Sequence, residues 1–319
     1  MLTHRGPAVN AGIDVSKDWL DLHILPEGRR MRAPYSAEGL SQITDLFKGM
    51  DVERVVLEAT GKMESLAAAT LAAHGLPVVV VNPRQVRDFA RASGRLAKSD
   101  TIDAEMIARF GEAIEPEIRP LPSAAERRVS ELLSRRRQLV EMAAAEKNRL
   151  YRTADDGVKA FINGHLRWLR DQTCQVDRAL EDAVESSPAW RARDELLRSV
   201  PGIGTTVSYT LLSSLPELGS LDKKAVASLA GLAPFNHDSG TMRGRRAIRG
   251  GREDVRRALY MAALTGIRRD QSMKERYESL RQRGKPSKVA MVACMRKLVV
   301  ALNAMAASGR KWQESPATP

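Results

Sequence analysis

At 319 residues, 43% of them hydrophobic, the chain is long enough for about two domains with their own cores, and disorder is excluded as its default state. A formal net charge of +12 points to a polyanionic partner, of which nucleic acid is the commonest. Cys174 and Cys294 stand far apart with no Cys or His at ligand spacing, which excludes a zinc ribbon or disulfide framework and suits a reducing cytoplasm.

The first ten residues lack the apolar run of a signal peptide, no lipidation signal is present, and no apolar stretch is expected to reach bilayer-spanning length. The expected protein is cytoplasmic, near the nucleoid, with no membrane partner. Residues 12–15 form a short strand entering a polar turn, Ser16-Lys17-Asp18. Residues 19–25 then alternate apolar and polar, the period of a half-buried strand. Helices are expected over 36–48, 63–74, 84–92 and from 99 towards 109. Between them, 54–58 is a β-branched run ending on a carboxylate, and 78–81 is four valines. Strands alternating with helices after an initial hairpin indicate a mixed sheet flanked by helices.

A proline-rich change of composition near 116–122 ends this α/β domain, assigned to residues 1–115. Residues 116–188 read as a helical arm, with helices at 123–153 and 165–185 folded as an antiparallel hairpin or coiled coil. Residues 189–319 read as a mostly α domain, with helices at 207–213, 225–230, 253–267 and 289–306 and a Gly- and Arg-rich loop at 236–251.

Four acids stand where an RNase H-type metal site would place them. Asp14 closes the first strand. Glu58 closes the fourth, which in that sheet order pairs beside the first. Asp100 and Asp103 lie three apart on a helix and share a face. Two-metal phosphoryl transfer needs acids converging from separate elements, because each hard cation takes oxygen ligands and keeps open positions for substrate. Singly, each acid has a bland reading, and Asp100 could simply cap its helix.

Val200-Pro201-Gly202-Ile203-Gly204-Thr205 resembles the hairpin of a helix-hairpin-helix module, whose Gly202 and Gly204 would present backbone N–H groups to a phosphate. A plain packing turn is an equal reading. Arg84, Arg87, Arg91 and Arg95 recur along one helix and its exit as a stripe for backbone phosphates. Arg243, Arg245, Arg246, Arg249 and Arg252 crowd the loop that also carries Ser239. From chemistry alone this loop is a phosphate clamp rather than a nucleophile.

Gly12-Ile13-Asp14-Val15-Ser16-Lys17, Glu58-Ala59-Thr60-Gly61, Asn82-Pro83 and Lys98-Ser99-Asp100-Thr101-Ile102-Asp103-Ala104 resemble the N-terminal domain of transposases of the insertion-sequence one-ten family. Pro201-Gly202-Ile203-Gly204 and Ala233-Pro234 through Ser239-Gly240 resemble that family's C-terminal domain. The resemblance implies an RuvC-like fold whose tetrad Asp14, Glu58, Asp100 and Asp103 binds magnesium or manganese. It implies that Ser239 attacks a DNA phosphate to give a phosphoserine intermediate, acids and serine being brought together in an assembly of subunits. It also implies a bridge RNA that pairs with donor and target DNA, and dimers that assemble into a tetramer. A RuvC-like endonuclease or junction resolvase using water, and a non-enzymatic RNA- or DNA-binding scaffold, are the competing functions.

Overall fold

An alternating strand after a polar turn needs a partner that buries its apolar side, and the first strand supplies it. The computed structural model describes residues 8–61, 63–94, 100–235 and 247–312, and of residues 100–102 the backbone alone. Strand β1 (Val9–Val15) turns at Ser16, whose Oγ accepts from the Trp19 amide at 3.1 Å, and returns as β2 (Trp19–Leu25). Then come β3 (Arg29–Pro34), α1 (Ala37–Leu46), β4 (Val52–Glu58), α2 (Glu64–Ala73), β5 (Val78–Val81), α3 (Pro83–Ala92) and α4 (Asp100–Ile114). The sheet order is β3-β2-β1-β4-β5, with β1 antiparallel to β2 and parallel to β4. This is the expected mixed sheet with helices, and it fits an RNase H-like α/β domain. Sequence patterning passes over β3, because Arg29-Arg30-Met31-Arg32 has no β-branched residue and no clean alternation. As an edge strand it holds its place through the ladder to β2, and its arginines keep the edge polar.

The two sheet faces have different tasks. On one, Ile13, Leu20, Leu22, Ile24, Val55 and Leu57 are buried in a core shared with Leu40 and Ile43 of α1 and Leu71 of α2. On the other, Val56, Val79 and Val81 meet Val86, Met106, Ile107 and Phe110 from α3 and α4. Gly12 belongs to this second face. A Cβ there would stand 2.3 Å from both the Ala104 carbonyl oxygen and the Ala108 nitrogen, so α4 lies backbone-to-backbone on β1. Further along α4, a Cβ on Gly111 would meet Val56 and approach Asn10. The helix therefore runs antiparallel to β1, with its start towards Asp14.

The chain divides into two compact units at Leu121/Pro122. In the second, Ser123 and Glu126 form a capping box that starts α5 (Ala124–Arg152), and Asp155 accepts from Val158 N to start α6 (Asp156–Glu185). That cap starts the helix before Gly157 and Gly164, upstream of the expected residue 165. Arg136 donates to Asp177 at 2.6 Å and Glu146 faces His165 at 3.3 Å, so the two helices run antiparallel. The rest comprises α7 (Pro188–Arg198), α8 (Thr205–Ser214), α9 (Lys223–Leu229), the short strands β6 (Pro234–Phe235) and β7 (Ala247–Ile248), α10 (Glu253–Arg269), α11 (Gln271–Gln282) and α12 (Ser287–Ser308). The base of the α5/α6 hairpin (Val129, Leu180, Val184) shares one core with Leu197, Leu211, Leu259 and Leu302 of these helices.

Contrary to the expectation from the sequence, among the described residues one helix, α12, is long and apolar enough to cross a membrane by length and composition, but half of that window is buried inside the protein. Leu298, Val299 and Leu302 are buried in the second unit's core, which accounts for the apolar composition. Patterning also omits α7 and α11. Each is short and begins at a side-chain cap, Ser187 to Trp190 N and Asp270 to Met273 N. Replacing Gly12 by Val should unfold the first unit or cost it at least about 2 kcal/mol, because a backbone–backbone contact cannot relax as a side chain does. Thermal melting followed by circular dichroism measures this, and a parental melting curve would contradict the packing described.

Candidate functional site

Register decides which acids meet. Ile13 pairs with Leu57, so Asp14 and Glu58 follow side by side on adjacent parallel strands. Gly12 and Val56 face α4, and two residues further on each strand Asp14 and Glu58 share that face. Two strand residues rise about 6.6 Å, equal to some four residues of helix. Asp14 is thus level with the first turn of α4, the turn that carries Asp100 and Asp103. Asp14, Glu58 and Asp103 are each half-buried, shielded enough to strengthen a charge and open enough for a substrate. The Asp100 side chain lies outside the described residues. Among the described residues no three His, Cys, Asp or Glu side chains approach closely enough to hold a metal ion. As a donor set, carboxylates from two strand ends and a helix start suit a hard divalent cation.

Around these acids lies a polar layer that patterning passes over. Asp21 is directly opposite Asp14 in the β1–β2 ladder, is buried, and lies 3.6 Å from Arg32 of β3. The cue was present in the alternation of residues 19–25, which puts Asp21 and His23 on the same face as Asp14. His23 is buried opposite Gly12, and its Nδ1 has no hydrogen-bond partner. Burial holds its pKa below the usual imidazole value, assisted by Arg30 and Arg109 and opposed by Glu105. Glu105 is itself buried and takes hydrogen bonds from Arg30 and Arg109, both at 3.0 Å. A buried carboxylate is tolerated here because two guanidinium groups compensate its lost hydration.

The basic features separate into several kinds. Arg84, Arg87 and Arg91 are exposed along one side of α3, opposite buried Val86, and Arg91 lies 3.8 Å from Asp88. Arg95, Ser239, Arg243, Arg245 and Arg246 lie outside the described residues. Arg249 is exposed just after β7. Arg252 differs from the rest of its expected cluster. Its guanidinium is bidentate to Glu217 at 2.5 and 2.6 Å and donates to the Ser214 carbonyl at 3.0 Å, so it ties α10 to the end of α8 and is spent on the fold. In the hairpin turn, Gly202 has φ +97° and a Cβ there would meet the Ala262 carbonyl at 2.5 Å, which makes it a close-packing position against α10. Gly204 is the N-cap of α8, with open space beside it.

Comparison with known proteins adds a second kind of observation. Residues 11–156 match the family model described as DEDD_Tnp_IS110, transposase, and residues 194–278 match the model described as transposase, IS116/IS110/IS902 family. The chain is 27% identical over 303 residues to a pilin gene-inverting protein of Moraxella bovis, covering 90% of this chain and 92% of that protein. It is 32% identical over 134 residues to the insertion element IS110 uncharacterized 43.6 kDa protein of Streptomyces coelicolor, covering 41% of this chain and 33% of that one. An insertion element IS900 uncharacterized 42 kDa protein of Mycobacterium paratuberculosis is 35% identical over 117 residues, 35% of this chain and 29% of that protein.

The arginines yield a paired test. Arg252→Gln should lower stability by about 2 kcal/mol, since it strands a half-buried carboxylate, and leave DNA affinity of the folded protein unchanged. Arg249→Gln should do the reverse, weakening DNA binding at parental stability. Chemical denaturation alongside anisotropy titration with duplex DNA separates the two.

Proposed function

Because this chain belongs to the IS110 family of transposases, we propose that it is the recombinase of an insertion sequence, cutting and rejoining donor and target DNA through a phosphoserine intermediate on Ser239. The observation that carries the reading is the register that sets Asp14 beside Glu58 at the strand ends, level with the first turn of α4. Asp14, Glu58, Asp100 and Asp103 would hold magnesium or manganese, which when bound lends positive charge to the attacked phosphate and the departing oxygen. The Ser239 hydroxyl gives up its proton as its oxygen bonds to phosphorus, and a sugar oxygen departs with the electrons of the broken P–O bond and takes up a proton. Rejoining reverses these steps with a different sugar oxygen as nucleophile. Energy of the phosphodiester is thereby kept in the serine ester, which a hydrolytic resolvase would lose to water.

Under this reading a bridge RNA pairing with donor and target supplies sequence choice, and the protein mainly grips sugar–phosphate backbones. Net charge of +12 and the exposed Arg84, Arg87 and Arg91 on α3 support that division. The tip of the α5/α6 hairpin exposes Tyr151 and Phe161, which supports its use as an arm between subunits of a dimer or tetramer.

Two measurements test the proposal. With magnesium, the RNA that co-purifies with the protein and DNA sites paired to it, the parent should give a protein–DNA adduct on denaturing gels. Ser239→Ala should abolish the adduct, and Asp14→Asn should reduce strand cleavage by at least about a hundredfold with the fold intact. Cleavage that survives in Ser239→Ala would move the protein to the water-using nucleases. In a salt titration, changing Arg84, Arg87 and Arg91 together to Gln should flatten the slope of log affinity against log salt by about 2 to 3.

A further inference from the structure

Beyond the acids, the same sheet face presents an aromatic residue that belongs to neither core cluster among the described residues. Trp19 opens β2 two residues before Asp21, so it lies on the face shared by Asp14, Asp21 and Glu58. Of its surface, 43% is exposed. On β3, Arg32 pairs in register with Asp21, and its guanidinium carbon stands 5.1 Å from the centre of the Trp19 ring. Asp21 anchors Arg32 at 3.6 Å, while about half of the Arg32 side chain remains open to solvent. An exposed tryptophan costs solvation and does nothing for either core. Its neighbours give it a fixed orientation, with a cation over one face.

We propose that Trp19 and Arg32 form a stacking platform for an unpaired DNA base, with the attached backbone leading across β1 to the acids Asp14 and Glu58. The proposal rests on the nucleic-acid reading of those acids and adds where the strand next to the reacting phosphate is held. Indole and guanidinium are the two side-chain planes on which bases stack most readily, and each accepts any base. Spacing suits the role. Arg32 is two strands from Asp14, about 10 Å at some 4.8 Å per strand, so a base held there belongs to a nucleotide near the one at the acids. Charge suits it as well. An acid site repels the phosphodiester it must process, and an adjoining cation with a stacking surface offsets that repulsion without entering the acid cluster. Asp21 becomes a positioning residue, holding Arg32 over the ring.

The test separates binding from catalysis by working in chelator. Anisotropy titration of a single-stranded deoxythymidylate oligonucleotide should show Trp19→Ala binding about tenfold more weakly, with Trp19→Phe within about twofold of the parent. Affinity for duplex DNA and the melting temperature should not change. Ultraviolet crosslinking of a 5-iodouracil-substituted strand, followed by peptide mapping, should place the adduct on Trp19. Parental single-strand affinity in Trp19→Ala overturns the proposal. So does an equal loss for single strand and duplex, or a lowered melting temperature with no loss of affinity, or crosslinks confined to other peptides. If Trp19 crosslinks and its variants behave as stated while the parent neither cleaves nor forms a serine adduct, the platform stands and the recombinase reading fails.

Discussion

The backbone contact between β1 and α4 at Gly12 determines how the acids are arranged. A strand and a helix are ordinarily held apart by the side chains that fill the gap between them. Removing the Cβ at Gly12 brings the Ala104 and Ala108 backbone onto the strand itself. The first turn of α4 is thereby lowered towards the sheet at the level of Asp14, and Glu58 follows from the parallel ladder with no further constraint. One glycine thus links a packing requirement to a chemical one.

Such close approach has an electrostatic consequence. Asp14, Asp21, Glu58, Asp103 and Glu105 would crowd one face with negative charge if nothing intervened. Glu105 is answered from within the fold by Arg30 and Arg109, and Asp21 by Arg32. Burial lowers the pKa of His23, which favours its neutral form in this layer. Carboxylates that carry an arginine are poor competitors for a hard cation, because the guanidinium already holds their lone pairs in a fixed geometry. The arginines on β3 thus hold Asp21 and Glu105 in supporting positions beside the strand ends.

How much of this was legible beforehand varies with the kind of constraint. The valines of 54–57 and 78–81, the turn at Ser16, and the acids closing each strand are local signals, and they put Asp14 and Glu58 on the right elements. The pairing that makes them neighbours depends on strand order, which came from the likeness to an RNase H-type site and not from periodicity, and the parallel β1–β4 ladder agrees with it. β3 was invisible because an arginine-rich edge strand is stabilised by its ladder and by cross-strand partners, none of which is local. Gly12 and Gly202 read as turn or motif glycines, whereas their demand comes from helices more than fifty residues away. Arg252 shows the opposite failure: density of arginine suggested phosphate, yet Glu217 claims it. Composition cannot tell a cation aimed outward from one turned in.

That distinction bears on how a basic protein divides its charge. Glu217 holds Arg252, Asp177 holds Arg136, Glu105 holds Arg30 and Arg109, and Asp254 holds Arg137. Apart from Glu105–Arg109, which lies within α4, each such pair links two parts of the chain, and all contribute little to a long-range field because their charges cancel at close range. Outward cations include the α3 stripe and Arg249, together with the half-exposed Arg32 over Trp19. These differ in what they can read. A lone exposed arginine meets any phosphate, so affinity there follows salt and is indifferent to whether the strand is paired. An arginine fixed over an indole by Asp21 presents a plane, and a plane discriminates an unstacked base from one inside a duplex. A polymer that must be opened at one phosphate while its flanks stay paired calls for both kinds, and the sheet edge beside the acids is where the second kind occurs.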